Sequence, residues 1–333
     1  MDIDPEISER LKKLEAKYET MGQDMVSYLD GLLYSDSTNY WNYTHVDTLL
    51  SLQKPNTDFP DELVFIIYHQ ITELYFKLIL HEQNQIAHNG RDVLKSGEDK
   101  GWRKSLDKGY FTERLNRINR YFDTLTHSFD IMVDGMEKDQ FLRFRMALLP
   151  ASGFQSVQYR KIEICATDFI RMVDKSKREK FENEENPSIA AMYEKIYWKL
   201  GAMELASGKK TLTLRQFEKK YSDDLVKLGE EYTEKNMWKK YKGLSESDQS
   251  DEKLLEQLKL FDVNVNVNWP LIHYKSAVRY LQMESKDIKA TGGTNWQKYL
   301  PPKFQKRIFF PELWSEKEID EWGKAWVDKI TNS

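Results

Sequence analysis

Pro60-Asp61-Glu62-Leu63-Val64-Phe65-Ile66-Ile67-Tyr68-His69-Gln70-Ile71-Thr72-Glu73-Leu74-Tyr75-Phe76-Lys77-Leu78-Ile79-Leu80-His81-Glu82 is the stretch from which the rest of the chain can be read. Pro60 suits the first turn of a helix, where a missing N–H costs nothing. Asp61 and Glu62 then complement the positive helix end. Beyond them the segment is apolar on almost every side, which predicts a helix buried within a larger protein. Phe65, His69 and Glu73 stand four residues apart and share one face. Burying a histidine and a carboxylate costs free energy unless each finds a partner. The spacing leaves two readings open: a satisfied core histidine beside a structural carboxylate, or a pocket face with Phe65 as flat wall and His69 as hydrogen-bonding group.

Working outward, the 333 residues are 40% hydrophobic and 13% aromatic, with only 15 Gly and 9 Pro, so long helical runs dominate. The formal net charge is −4, spread in mixed clusters, which gives no case for a nucleic-acid partner. Met1-Asp2-Ile3-Asp4-Pro5-Glu6 lacks the apolar core of a secretory signal, and no run reaches the ~20 apolar residues that span a bilayer. Cys165 is the single cysteine and excludes an intramolecular disulfide or a cysteine-based zinc site. A cytoplasmic setting without membrane attachment is expected.

Residues 6 to 33 read as a helical arm and Tyr34 to Asn39 as a turn. The central helix should stop near His88-Asn89-Gly90. Residues 90 to 110 read as a loop with short helical pieces. Helices are expected over Arg114 to Met136, Asp139 to Leu149, Phe154 to Val173, about 188 to 206, and about 211 to 244. Residues 174 to 188 read as a solvated charge cluster. With no repeat and no sustained heptad, this favours one irregular helical domain.

None of the six histidines pairs in an HxxxH, HExxH or Glu-x-x-His pattern, so a closed metal cage made by protein alone is not expected. A cofactor needing only one protein ligand stays open, with heme as the obvious case. His273 is the best candidate ligand. Asn268 reads as the cap of its helix and Pro270 as its first turn. An ordinary packed histidine remains the alternative. Phe141 and Arg145 share a helix face, an arrangement suited to gripping a carboxylate in a two-bond fork or, equally, a surface arginine. Thr291-Gly292-Gly293 is a flexible loop that lets backbone approach a ligand, or a generic turn.

Together these pieces resemble the tryptophan 2,3-dioxygenase family. The pattern runs in order: Tyr40-x-x-Tyr43, Val46-Asp47-x-Leu49-Leu50-x-x-Gln53, Phe65-Ile66-Ile67-x-His69-Gln70-x-x-Glu73-Leu74 and Phe144-Arg145. Then come Ser152-Gly153-Phe154-Gln155-Ser156-Val157-Gln158-Tyr159-Arg160, Trp269-x-x-x-His273, Thr291-Gly292-Gly293 and Phe310-Pro311-Glu312-Leu313. The resemblance covers roughly residues 40 to 314. It implies an all-α homotetrameric enzyme, a large irregular helical bundle enclosing a heme pocket. Residues 1–57 would form an intersubunit arm and 58–333 the heme- and substrate-binding domain.

The resemblance places heme b, one per subunit, on His273 as proximal ligand. His69 would be the distal histidine that hydrogen-bonds the indole N–H. Phe65 and Phe141 would flank the ring, Arg145 would hold the substrate carboxylate and Thr291 would meet its ammonium. Tyr40 and Tyr43 would reach a neighbouring subunit's pocket. The implied reaction inserts both atoms of O2 across the indole C2–C3 bond of L-tryptophan, giving N-formyl-L-kynurenine.

Departures from the family pattern gather between His273 and Thr291, which lie four residues further apart than is usual. Gln282, Ala290 and Asn295-Trp296 replace smaller residues, and Pro270 stands close before His273. They leave an alternative: a diverged member that oxygenates a modified tryptophan or another indole, with insertion of a single oxygen atom among its outcomes. A heme-binding protein without turnover is a third reading.

Overall fold

The computed structural model describes residues 3–35, 38–94, 96–149, 151–203, 208–281 and 306–323. The backbone groups into two units, Met1–Leu52 with Arg91–Gly101, and Gln53–Gly90 with Trp102–Ser333. The fold is all-α, with one small two-stranded sheet among the described residues.

The first unit holds α1 (Pro5–Thr20), α2 (Met25–Tyr34), α3 (Tyr40–Thr44) and α4 (Val46–Leu50). Asp4, Asp24 and Asn39 cap the first three through their side-chain oxygens. Among the described residues of 90 to 110 no helix forms before residue 108: β1 (Arg91–Val93) pairs with β2 (Asp99–Trp102). The Tyr34 hydroxyl donates to the Ser96 carbonyl at 2.7 Å. Gly97 lies beneath that ring at φ +82°, and a Cβ there would meet the Tyr34 oxygen at 1.9 Å. None of this unit's described residues is buried.

The second unit is built on α5 (Pro60–Ala87). The Glu62 carboxylate accepts from the Asn56 and Thr57 N–H groups at 2.7 and 2.8 Å, which folds the incoming loop onto the first turn. The helix ends as expected, with Asn89 and Gly90 at positive φ. α5 packs on α6 (Lys108–Ser128), which starts earlier than Arg114 because Asp107 caps it. From α6, Phe111, Leu115, Ile118, Phe122 and Leu125 recur every three or four residues and are wholly buried.

Contrary to the sequence reading, α5 is not buried all round. Leu63, Ile67, Ile71, Leu74 and Leu78 form a stripe between 38% and 50% exposed. By length and hydropathy α5 could also cross a bilayer. Its opposite face, with Tyr68, Phe76, Ile79 and Ile86, is packed into the protein core, the position of a core helix.

After α7 (Asp130–Val133), α8 (Lys138–Phe144) starts on α5 itself. The Asp61 carboxylate accepts from the Glu137 N–H at 2.6 Å, and the Gln140 side-chain oxygen accepts from the Asp61 N–H. α9 (Val157–Ala166) packs on α5, tied by Gln158, whose amide donates to the Glu73 carbonyl and carboxylate at 2.8 and 2.7 Å. The expected solvated charge cluster is instead partly α10 (Lys175–Glu182), because Asp174 caps it and Phe181 buries its ring. The sequence then forms α11 (Ile189–Tyr193), α12 (Tyr197–Gly201), α13 (Leu212–Glu231), α14 (Met237–Lys242) and α15 (Glu246–Gln249).

α16 (Glu252–Val263) lies on α6. It runs through a π-wound segment, Asn264–Asn268, straight into α17 (Trp269–Leu281). Asn268 therefore caps nothing, and Pro270 stands inside a continuous helix; this corrects the expected helix start. The segment 306–310 docks on Asp262, and α18 (Glu316–Asp320) follows.

Candidate active site

Phe65, His69 and Phe141 come together where α8 is anchored to the first turn of α5. The Phe65 ring lies 4.1 Å from the His69 ring and 6.3 Å from Phe141, centroid to centroid. Phe144 closes the cluster at 5.8 Å from Phe65 and 5.6 Å from Phe141. Arg145 follows directly on α8, in a 3-10 turn, and is 7% exposed. Burial lowers its pKa from the ordinary guanidinium value.

Helix geometry fixes the imidazole of His69. Its Nδ1 lies 2.8 Å from the Phe65 carbonyl one turn back, and a carbonyl can only accept. Nδ1 therefore carries the proton, which leaves Nε2 as a bare acceptor. Burial lowers the His69 pKa, opposed by that bond and by the Glu73 carboxylate, so the ring is neutral near pH 7.

His273 repeats the arrangement on α17. Its Nδ1 lies 2.8 Å from the Trp269 carbonyl, so Nε2 again keeps its lone pair. The ring is walled by Trp269 at 4.4 Å and Phe129 at 4.5 Å. Burial pulls its pKa down to about 4, the Trp269 bond opposing and a positive charge on His69 assisting. A positive charge on His69 would thus reach His273, although the two stand 204 positions apart in sequence.

Among the described residues no group of three or more His, Cys, Asp or Glu side chains could hold a metal by itself. The donor chemistry instead fits a group that brings its own equatorial ligands and asks for one neutral imidazole, as heme does. Cys165 is no donor: it is buried, and burial pushes its thiol up to about 12.

The other expected residues fall elsewhere. Tyr40 and Tyr43 belong to α3 of the first unit and are 72% and 78% exposed. Thr291, with Gln282, Ala290 and Asn295-Trp296, lies outside the described residues. Glu73, which shares a face with His69, is engaged by Gln158. Sequence reading missed Phe129 and Tyr280 as walls: the Tyr280 ring stands 4.6 Å from Phe141 and its hydroxyl donates to the Met136 carbonyl. Neither has a local signature, since each meets its partner across the fold.

Comparison with known proteins identifies the family. The family model described as tryptophan 2,3-dioxygenase matches residues 31–250. The tryptophan 2,3-dioxygenase of Ruegeria sp. (strain TM1040) is 38% identical over 130 residues, 39% of this chain and 42% of that protein. That of Herpetosiphon aurantiacus is 38% identical over 131 residues, 39% of this chain and 45% of its own length. The chain therefore spans less than half the length of these two relatives. The alignment with the tryptophan 2,3-dioxygenase of Bacillus thuringiensis subsp. konkukian, at 28% identity, takes in 85% of this chain and 92% of that one. A match over residues 31–250 takes in the α5 histidine face, the α8 anchor and the Gln158 tie alike, and on that ground the chain belongs to the tryptophan 2,3-dioxygenase family.

Proposed function

We propose that this chain is a heme-dependent dioxygenase that opens the indole C2–C3 bond of L-tryptophan with O2, giving N-formyl-L-kynurenine. One observation carries the reading: His69 and His273 each tie Nδ1 to the carbonyl one turn back, which leaves Nε2 as a bare acceptor, and each ring stands against aromatic side chains. The relatives' names favour tryptophan over a modified indole.

In this reading His273 Nε2 holds heme b, one per chain. Bound there, heme supplies the O2 chemistry that no side chain can. The protein's own residues bind and orient. His69 Nε2 accepts the indole N–H, which fixes the ring's rotation. Phe65 and Phe141 flank the ring and exclude water. Arg145 grips the carboxylate through its planar fork, and the Thr291 hydroxyl meets the ammonium.

Assembly as a homotetramer, with Tyr40 and Tyr43 lent to a neighbour's pocket, is part of the proposal. Two surfaces support it separately: the first unit exposes Leu32, Leu33, Tyr40, Trp41 and Tyr43, and α5 exposes its leucine and isoleucine stripe. A cytoplasmic location completes the reading.

Mass spectrometry of the product formed from L-tryptophan and labelled O2 tests it. Two label atoms in N-formylkynurenine are expected; a single label, or no ring-opened product, overturns it.

A further inference from the structure

The geometry points to a positioning device in the helix that carries His273: the π-wound segment Asn264–Asn268, capped by the Tyr159 hydroxyl, sets the face on which that imidazole is presented. The inference rests on the reading of His273 as heme ligand.

Along α16 the wholly buried positions Leu254, Leu258, Phe261 and Val265 follow spacings of four, three and four, an α-helical stripe. Continued as α-helix, the stripe would reach Asn268 and then Ile272. Instead the Trp269 N–H bonds the Asn264 carbonyl five residues back, and the wider turn takes in one residue more. Trp269, 6% exposed, takes the buried place that the half-buried Asn268 would have had, a rotation of about 100°, and His273 follows one turn on.

Pro270 is why this winding needs help from outside the helix. In the same register its nitrogen would face the Val265 carbonyl, but proline has no N–H to give. A buried carbonyl without a donor is costly. The Tyr159 hydroxyl, from α9, supplies the missing proton donor at 2.8 Å. Tyr159 thus does for Val265 what a backbone N–H does elsewhere.

Side chains brace the segment from two more directions. The Asn268 amide donates to the Asn264 side-chain oxygen, and the Asn264 amide to Asn119 on α6. The Asn266 amide donates to Asp262, a buried carboxylate that also accepts from the Phe309 and Phe310 N–H groups and the Trp314 indole. Three separate parts of the chain therefore fix the turn one step before the histidine.

The test uses the heme-loaded chain. Tyr159→Phe removes the hydroxyl and keeps the ring. It should alter the ferric electron-paramagnetic-resonance signal and the iron–histidine stretching band. Heme dissociation should quicken about 10–100-fold, the range for losing an outer contact behind a metal ligand. Pro270→Ala returns an N–H to the Val265 carbonyl, so the double variant Tyr159→Phe/Pro270→Ala should regain most of the wild-type signal. A Tyr159→Phe protein with wild-type spectra and heme retention overturns the proposal. If that single variant fails to fold, the double variant decides: recovery supports the device and failure refutes it. A heme spectrum indifferent to His273→Ala sinks the ligand reading and this inference with it. A spectrum that depends on His273 but ignores Tyr159 sinks the inference alone.

Discussion

Replacing Arg145 by methionine should cost this protein its grip on amino acids while leaving its affinity for bare indoles intact. The side chain is 7% exposed and follows directly on Phe144 at the end of α8. Little water is present there to dilute an ion pair. Truncating one partner of such a buried, hydrogen-bonded charge pair costs about 2–5 kcal/mol. At about 1.4 kcal/mol per tenfold, the lower bound alone is roughly 30-fold in kcat/KM. The loss should fall mainly on KM, which rises by about that same factor, because the carboxylate is held equally in ground and transition states. Arg145→Lys keeps the charge but not the planar fork and should fall between. The assay compares steady-state kinetics on L-tryptophan with spectroscopic titration of L-tryptophan and of tryptamine, which lacks the carboxylate. Wild type and variant should differ for the first ligand and agree for the second. Unchanged kinetics, or equal loss for both ligands, removes Arg145 from carboxylate binding.

His69→Ala should leave heme bound and lower kcat/KM for L-tryptophan by about 2- to 12-fold, the worth of one neutral hydrogen bond of roughly 0.5–1.5 kcal/mol. With 1-methyltryptophan, which has no N–H to offer, the two proteins should match; a difference there would contradict the role. Burial alone would raise the Glu62 pKa, but hydrogen bonds from the Thr57 hydroxyl and the Asn56 and Thr57 N–H groups outweigh it and hold the carboxyl below its ordinary 4.5. A depressed carboxyl contributes its stability fully above the unfolded value and loses it as pH falls through the folded one. Glu62→Gln should therefore cost about 1–3 kcal/mol at pH 7, and the gap in urea midpoints should close below about pH 4.5; a gap independent of pH refutes this. The wholly buried Glu163 carboxylate joins Arg160 at 3.2 Å, Arg307 and the Tyr197 hydroxyl, so Glu163→Gln leaves two guanidiniums without their counter-ion. Thermal unfolding should report a loss of about 3–5 kcal/mol, and less than about 1 would show the charges to be screened.

The parts of this molecule legible in its sequence are those that depend on near neighbours. Pro60 with Asp61 and Glu62 marked the start of α5, and His88-Asn89-Gly90 its end. Four-residue spacing placed Phe65 on the face of His69. What escaped depends on partners far along the chain. Asn268 and Pro270 looked like a helix start, because nothing nearby shows that Tyr159 will serve the Val265 carbonyl and let the helix run through. The charged run after residue 174 concealed a helix whose one anchor is Phe181. The apolar composition of α5 could not reveal which of its faces a single chain leaves open. The convergence of His69 and His273 follows from how α5, α6 and α17 meet in the fold, and no local pattern encodes it.

The central claim is that His273 holds heme in this chain. The most direct measurement titrates hemin into the purified heme-free protein and into His273→Gly, with and without added imidazole, following the Soret absorbance. The wild-type chain should saturate at one heme per chain with a histidine-ligated spectrum; the variant should lose that spectrum, and imidazole should restore it. A colourless wild-type protein, or a His273→Gly protein that takes up heme with an unchanged spectrum, would contradict the account.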